Sequence, residues 1–402
     1  MYRNLRTCRA CGSTDLAEVF KFEKPVALAN DWTLPDGERK GFVPVRVLFC
    51  RQCTLAQLGE TVGPRVLYQN YLYTTSSSQT MMRHFDRLTK DIASENGAGS
   101  LLEVGANDGR FLNYAASRNF KPCHGIDPAA NLNGTIELGK NVSIINDFFR
   151  LGINLPMKNG YDNILARHCF CHQEWSEFLQ VCSVNSHKNT LICIEVPYAP
   201  DMLARTEFDS IYSEHTSYLT LKAVVAALNH TPFHIHGVLR YGIHGGAVLI
   251  MLRHNDSGIT PHLSADEMLA EENVTERDWE DFSARAAAKI RKLRDMVSCL
   301  NTEGKIVSAF GASAKTSVIL NACNFDRRDI AFVTDNSPLK PGRLVPGTDI
   351  PVIEEGEMLS QHPNVAICGA WNYRTEVLAK MEKWRARGGK FIFPTRDGWE
   401  MV

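Results

Sequence analysis

The sequence has no long hydrophobic run. No stretch of its 402 residues is apolar enough to span a bilayer, and the first residues carry no apolar core behind their basic side chains. Neither a membrane anchor nor a secretory leader is therefore expected. The chain also lacks an excess of charge of either sign. Its 44 Lys and Arg stand against 45 Asp and Glu, which excludes the broad basic surface that nucleic acid or an anionic membrane demands. Compositional bias is absent too: 44% hydrophobic and 22% charged residues are ordinary for a globular protein and exclude disorder. The expected compartment is the cytoplasm, where thiols stay reduced. The twelve cysteines then read as metal ligands or buried thiols rather than as a disulfide framework.

Four of those cysteines have informative spacing. Cys8 and Cys11, and Cys50 and Cys53, are two C-x-x-C pairs, each short enough for both sulfurs to reach one ion. Four thiolates favour tetrahedral Zn²⁺ and leave no open position for water, so the site is expected to be structural. Residues 1–75 show no dense Lys/Arg stripe, which argues against a nucleic-acid-binding ribbon. The length suggests two to three domains: a zinc-binding domain over 1–75, a cofactor-binding domain with a helical connector over 76–300, and a third unit over 301–402.

The central segment has the pattern of a nucleotide cradle. Residues 100–104 read as an apolar strand that stops at Gly105, turns through Asn107 and Gly109 and enters a helix; residues 81–95 before it are amphipathic and helical. A glycine at the strand end lets a ligand approach the backbone, and the helix behind points its amides into the crevice. Asp127 ends a second strand, where a carboxylate can accept both hydroxyls of a ribose. This pair alone does not separate S-adenosylmethionine from a nicotinamide dinucleotide. The third element, residues 142–149, resembles the methyltransferase segment in which a polar and an aromatic side chain hold adenine, here Asp147 and Phe148. Residues 161–166 are a plausible fourth strand. Asn107 stands where a middle glycine is common.

Proton-moving side chains concentrate in two later stretches. One is the His/Cys-rich run from His168 to His172; the other holds Tyr212, Glu214 and His215, close enough to share one rim. Residues 262–300 read as helical and charged. A new α/β unit follows, with strands expected at 305–310, 330–334 and 364–367 and a helix at 315–323, half a Rossmann-like sheet.

Taken in order, these motifs resemble one family: the S-adenosylmethionine-dependent sugar C-methyltransferases, notably the C-3 methyltransferases of nucleotide-linked keto-deoxysugars in antibiotic biosynthesis. The resemblance rests on the paired cysteines, Tyr71 and Tyr73, the loop from Glu103 to Gly109, Tyr212 to His215, His244 to Gly246, Gly311 to Lys315 and Asp335 to Arg343. It implies a Rossmann-like class I methyltransferase domain between a small zinc-binding domain and a second Rossmann-like α/β domain. Glu103, Gly105, Asn107, Gly109, Asp127, Asp147 and Phe148 would hold the cofactor. His215 would remove the proton alpha to the sugar ketone, with Tyr212 and Glu214 stabilising the enolate or orienting the imidazole, and His172 a second histidine of the site. Tyr71 or Tyr73 would cover the substrate beside His168 and His244. Lys315, Lys340 and Arg343 would take the diphosphate. The partner implied is thus a small molecule, a nucleotide sugar, acted on by a monomer or dimer. Relatives commonly carry asparagine where this chain has His168. Two other readings stay open: a methyltransferase of another acceptor, through oxygen, nitrogen or a different carbon, and a zinc-containing binding protein without activity.

Overall fold

The computed structural model describes residues 2–75 and 78–402. Before the central sheet comes helix α1 (Gln79–Asn96). Ser78 caps it by accepting from the Met81 amide at 3.2 Å, Met81, Phe85, Leu88 and Ile92 bury one face, and Gly97 ends it in the left-handed region at φ 73°. The sheet itself comprises β1 (Leu101–Val104), β2 (Cys123–Ile126), β3 (Val142–Ile145), β4 (Tyr161–Arg167), β5 (Ser186–Pro197), β6 (Phe233–Tyr241) and β7 (Ala247–His254), in the spatial order 3-2-1-4-5-7-6. The first five are parallel, and β7 runs antiparallel between β5 and β6. Leu101, Leu102, Leu165, Ile192 and Leu249 are fully buried. A parallel sheet covered on both faces has no polar side, so its strands read as continuous apolar runs. Helix α2 (Arg110–Ser117) follows β1 directly. Its cap, Gly109, has φ 83°, and a Cβ there would strike Leu138 and Ile144.

The N-terminal domain does not stand alone. Its strands Leu16–Lys21, Arg46–Cys50 and Ala56–Leu58 form an antiparallel sheet whose fourth strand, Ser217–Tyr218, comes from the central domain. Beyond β7 lie α3 (Leu263–Glu271) and the long α4 (Glu276–Thr302), which Thr275 and Asp278 start with a reciprocal capping box. Trp279, Phe282 and Leu293 of α4 join Val19 and Phe20 of the zinc domain to Val307 and Ile392 of the C-terminal domain in one core. The connector expected from the sequence is thus the beam on which both outer domains pack. Removing the Phe282 ring would cost about 3–5 kcal/mol.

The C-terminal sheet has six strands rather than half a set: β8 (Val307–Phe310), β9 (Val333–Asp335), β10 (Val352–Glu354), β11 (Val365–Cys368), β12 (Lys390–Pro394) and β13 (Trp399–Met401). Their order is 10-9-8-11-12-13, parallel except for the last. Strand β9 starts at Val333 and not at Ile330, because Asp326 to Ile330 closes a turn in which the Ile330 amide donates to the Asp326 carbonyl. Helix α5 (Ala314–Ala322) follows β8. Among the described residues no helix is long and apolar enough to cross a membrane.

Candidate active site

The four N-terminal cysteines meet as the spacing predicts. Their sulfurs lie within 4.8 Å of one another, with Cys8 to Cys53 at 3.5 Å and Cys11 to Cys50 at 3.6 Å. Those separations are far beyond the ~2.05 Å of a disulfide and close to the ~3.8 Å edge of a tetrahedron built on 2.3 Å zinc–sulfur bonds. The Cys8 thiol is pulled down to about 5, first by its contact with Cys53 and then, against burial, by the Cys11 and Ala10 amides. The donor set fits a structural Zn²⁺.

At the carboxyl ends of β1, β2 and β4 opens a cavity of about 600 Å³, a size suited to a nucleoside cofactor with part of a substrate. Gly105, Asn107, Asp127 and Phe148 line it, as do Tyr71, Tyr73, His168, His172 and His244. Gly105 has φ 73°, and a Cβ there would lie 2.8 Å from the Cys169 Cβ, so only glycine leaves the wall open. Asp127 accepts from the Asn107 amide at 2.8 Å and from the Ala129 amide at 2.9 Å, which fixes its carboxylate with lone pairs to spare for ribose hydroxyls. Asn107 explains its own departure from glycine. Its side-chain oxygen accepts from the Thr75 amide at 3.0 Å and the Thr75 hydroxyl at 3.3 Å, and its nitrogen donates to the Tyr73 carbonyl at 3.0 Å. Asn131 ties the other end, accepting from the Tyr71 amide at 3.0 Å and donating to its carbonyl at 2.7 Å. Residues 71–75 thus form a strap over the cavity, stapled to the loops after β1 and β2.

Three residues expected at the cofactor stand behind the wall. Glu103 is fully buried against Arg167, which donates to it at 3.0 and 3.2 Å; burial lifts its carboxyl to about 7 against that pull. Gly109 lies at the start of α2. Asp147 is turned into its own loop, accepting from the Phe148 amide at 2.7 Å and pairing with Arg150 at 3.0 Å. Of the pair Asp147 and Phe148, it is Phe148 that lines the cavity.

At the far end of the cavity His172 stacks on Tyr68, with centroids 5.5 Å apart, and lies 5.2 Å from His215. The His215 Nδ1 is 2.8 Å from the Ser210 carbonyl and its Nε2 2.7 Å from the Tyr212 hydroxyl. A carbonyl only accepts, so Nδ1 carries the proton and Nε2 holds the lone pair, receiving the Tyr212 O–H. Burial, then the neighbouring His172, holds His215 well below its ordinary value despite the Ser210 carbonyl. Burial thus favours the neutral form of the ring. His172 is pushed down to about 4 by burial and then His168. Cys171 lies beside both, its sulfur within 4.8 Å of an imidazole nitrogen of each. Glu214, one residue before His215, accepts from the Asn30 side chain at 3.0 Å, and its charge helps to raise the Tyr68 and Tyr71 phenols of the cavity wall.

Sequence reasoning missed Glu195 and His84. Glu195, fully buried on β5, lies 3.2 Å from His168 Nε2 and 2.8 Å from His84 Nε2. Burial works to raise its pKa, but the two imidazoles outweigh it and hold the carboxyl well below its usual range. The signal was there: Glu195 is the one charge in the apolar run 191–196. His244 packs edge-on against His168, centroids 4.6 Å apart, and its Nδ1 is 3.4 Å from the Asn372 amide of the C-terminal domain.

Of the three cations expected at a diphosphate, only Lys315 reaches the turn that carries His215. Its ammonium donates to Ser210 Oγ at 2.6 Å, with Glu207 at 3.6 Å, Asp209 at 3.8 Å and the Trp371 ring beneath at 4.6 Å. Lys340 is buried, donating to the Ala312 carbonyl beside the Trp32 ring, and Arg343 donates to the Leu339 carbonyl at 2.8 Å and the Trp32 carbonyl at 3.2 Å. Trp32 and Thr33 of the zinc domain fold over this loop, the Leu344 amide donating to the Thr33 carbonyl, so both cations are spent on backbone.

A glycine-ended first strand, a ribose-ready aspartate and a 3-2-1-4-5-7-6 sheet define the class: the chain is an S-adenosylmethionine-dependent methyltransferase. Three family descriptions match it in succession, a zinc-binding domain over residues 8–68, a methyltransferase domain over 77–236 and a C-methyltransferase C-terminal domain over 242–395. The C-methyltransferase NovU of Streptomyces niveus is 29% identical over 406 aligned positions, covering 98% of this chain and 96% of that one. Similarity to that C-methyltransferase thus runs over nearly the whole chain. Solved structures with a likeness in shape include the 1,6-didemethyltoxoflavin-N1-methyltransferase of Burkholderia thailandensis (13% identity, 42% of this chain and 77% of that one, TM-score 0.33). Another is the N-methyltransferase NodS of Bradyrhizobium japonicum WM9 (9% identity, 45% and 99%, TM-score 0.34).

Proposed function

We propose that the enzyme methylates C-3, the carbon alpha to a ketone, of a nucleotide-linked deoxysugar, in the cytoplasm and in the service of antibiotic biosynthesis. The observation that supports this most is the tautomer of His215, whose Nδ1 faces the Ser210 carbonyl and whose Nε2 keeps its lone pair, 5.2 Å ring to ring behind His172 of the cavity wall. Bound S-adenosylmethionine supplies a methyl group already activated for transfer. What the protein must supply is a nucleophilic carbon, alignment and the exclusion of water. His215 Nε2 takes the alpha proton, and the C–H electron pair becomes the enolate. Tyr212, released from Nε2 as that nitrogen gains the proton, donates its O–H to the enolate oxygen. The nucleophilic carbon would then take the methyl group, the S–CH₃ bond breaking with its electron pair left on sulfur, so that the thioether departs. The strap with Tyr71 and Tyr73 roofs the pair, His168, His172 and His244 wall the sugar, and Lys315 meets the diphosphate at the domain junction.

Incubation of a nucleotide-linked keto-deoxysugar in D₂O without cofactor tests the step. Mass spectrometry should show uptake of one deuteron beside the ketone, and one added methyl group once cofactor is present. His215→Ala should lose both by about 10²–10⁴-fold. Methylation without prior exchange, or an active His215→Ala enzyme, would refute the proposal.

A further inference from the structure

On the side of the central domain away from the cavity, three potential metal ligands converge from separate elements. Glu95 ends α1, His236 sits on β6 at the bulge between Ile235 and Gly237, and His262 immediately precedes α3. Their ligand atoms lie within 4.8 Å of one another. His236 Nε2 and His262 Nε2 each stand 3.4 Å from the same oxygen, Glu95 Oε2. That distance is long for a hydrogen bond, normally ~2.7–3.2 Å. It is the distance of two ligands sharing a tetrahedral zinc: bonds of 2.0–2.1 Å give an edge of ~3.3–3.4 Å. The four-cysteine centre, judged in the same way, showed the same near-match.

We propose that Glu95, His236 and His262 form a second Zn²⁺ site, with water as the fourth ligand. The backbone is already arranged for it. The His262 amide donates to the His236 carbonyl at 2.6 Å, which fixes the two residues side by side with rings 4.6 Å apart, and at Gly237 a Cβ would lie 3.2 Å from His262 Nδ1. Exposure is graded towards solvent, with side chains 1% exposed at His236, 19% at Glu95 and 43% at His262, so an ion can enter and keep a water. Arg253 on β7 ties the end of α1 in place, its guanidinium donating to the Glu95 carbonyl at 2.8 Å. The last turn of α1 holds Glu95 and no basic residue; a cation there offsets the negative end of the helix. The ion would fasten α1 to β6 and to the head of α3, a structural task distinct from catalysis. Among the described residues His236 Nδ1 has no partner, and this missing outer support places the affinity below that of the four-cysteine centre.

The full-length protein, equilibrated with excess Zn²⁺ and then dialysed, should carry two zinc ions per chain by atomic emission, and the second should raise Tm. His262→Ala, on a half-exposed side chain that the core does not need, and Glu95→Gln should each return the count to one. Either change should weaken the second site by at least ~100-fold, the upper end of what outer-shell changes cost. Co²⁺ added to protein already holding zinc at the cysteines should give d–d absorption without a thiolate charge-transfer band. One zinc in the wild type, or two in His262→Ala, overturns the proposal. So does a thiolate band, which would point to Cys171 with His172 and His215 instead.

Discussion

Replacing Asn107 with glycine keeps the backbone freedom that its φ of 53° needs and removes only the side chain. Lost with it are the two 3.0 Å bonds to the Thr75 amide and Tyr73 carbonyl and the 3.3 Å bond to the Thr75 hydroxyl. At about 1 kcal/mol net for each of the first two, and less for the third, the strap would lose about 2 kcal/mol of closure. One tenfold factor is about 1.4 kcal/mol, so affinity for S-adenosylmethionine should fall by up to about 30-fold. Titration calorimetry reads the affinity, and stopped-flow fluorescence the faster release. Asn107→Ala should bind more weakly again, because a Cβ in the left-handed region costs about 1–2 kcal/mol more. If the glycine variant binds the cofactor as the wild type does, the strap does not govern binding and the clamp assigned to Asn107 is wrong.

Removing the hydroxyl that meets His215 Nε2 at 2.7 Å, by Tyr212→Phe, should lower kcat at least tenfold and leave cofactor affinity unchanged in calorimetry; an unchanged kcat would exclude Tyr212 from the chemistry. His172 has its folded value pushed down to about 4, below the ordinary 6.5. Between those pH values the unfolded chain binds a proton that the folded chain refuses, so stability present above pH 6.5 is lost as pH falls. His172→Gln should therefore show a smaller drop in urea midpoint from pH 7 to pH 5 than the wild type, and an equal drop would contradict the assignment. Cys53→Ser should release the N-terminal zinc, measured with a chromogenic chelator, and unfold the first domain, since structural zinc contributes on the order of 10 kcal/mol; retention of metal by three thiolates would count against a four-cysteine centre.

Much of this architecture could be read from short-range pattern. The two cysteine pairs, the strand that stops at Gly105, Asp127 and the apolar runs of a covered sheet all depend on local spacing, which a sequence displays. What it hid depends on contacts between distant segments. Glu214 sits one residue from His215 yet takes its hydrogen bond from Asn30 of the first domain, a partner that no local period reveals. Lys340 and Arg343 look like free cations until Trp32, some 300 residues earlier, is folded over them. The environment of His168 is made by Glu195 on β5 and His84 on α1, so its replacement of a commoner asparagine could be noticed in the sequence but not interpreted. Asn107 was legible as a position and opaque as a function, since its partners lie in the strap.

The strand Ser217–Tyr218, two residues past His215, is an edge strand of the N-terminal sheet. Dissection of the enzyme into autonomous modules should therefore fail at this seam. A truncated protein starting after the strap would lose Tyr68, Tyr71 and Tyr73 from the cavity wall, strip Ser217–Tyr218 of its ladder partner in the first domain and bare the apolar side of α4. Engineers seeking a minimal catalyst, or a swap of acceptor specificity by domain exchange, would have to move both regions as one unit.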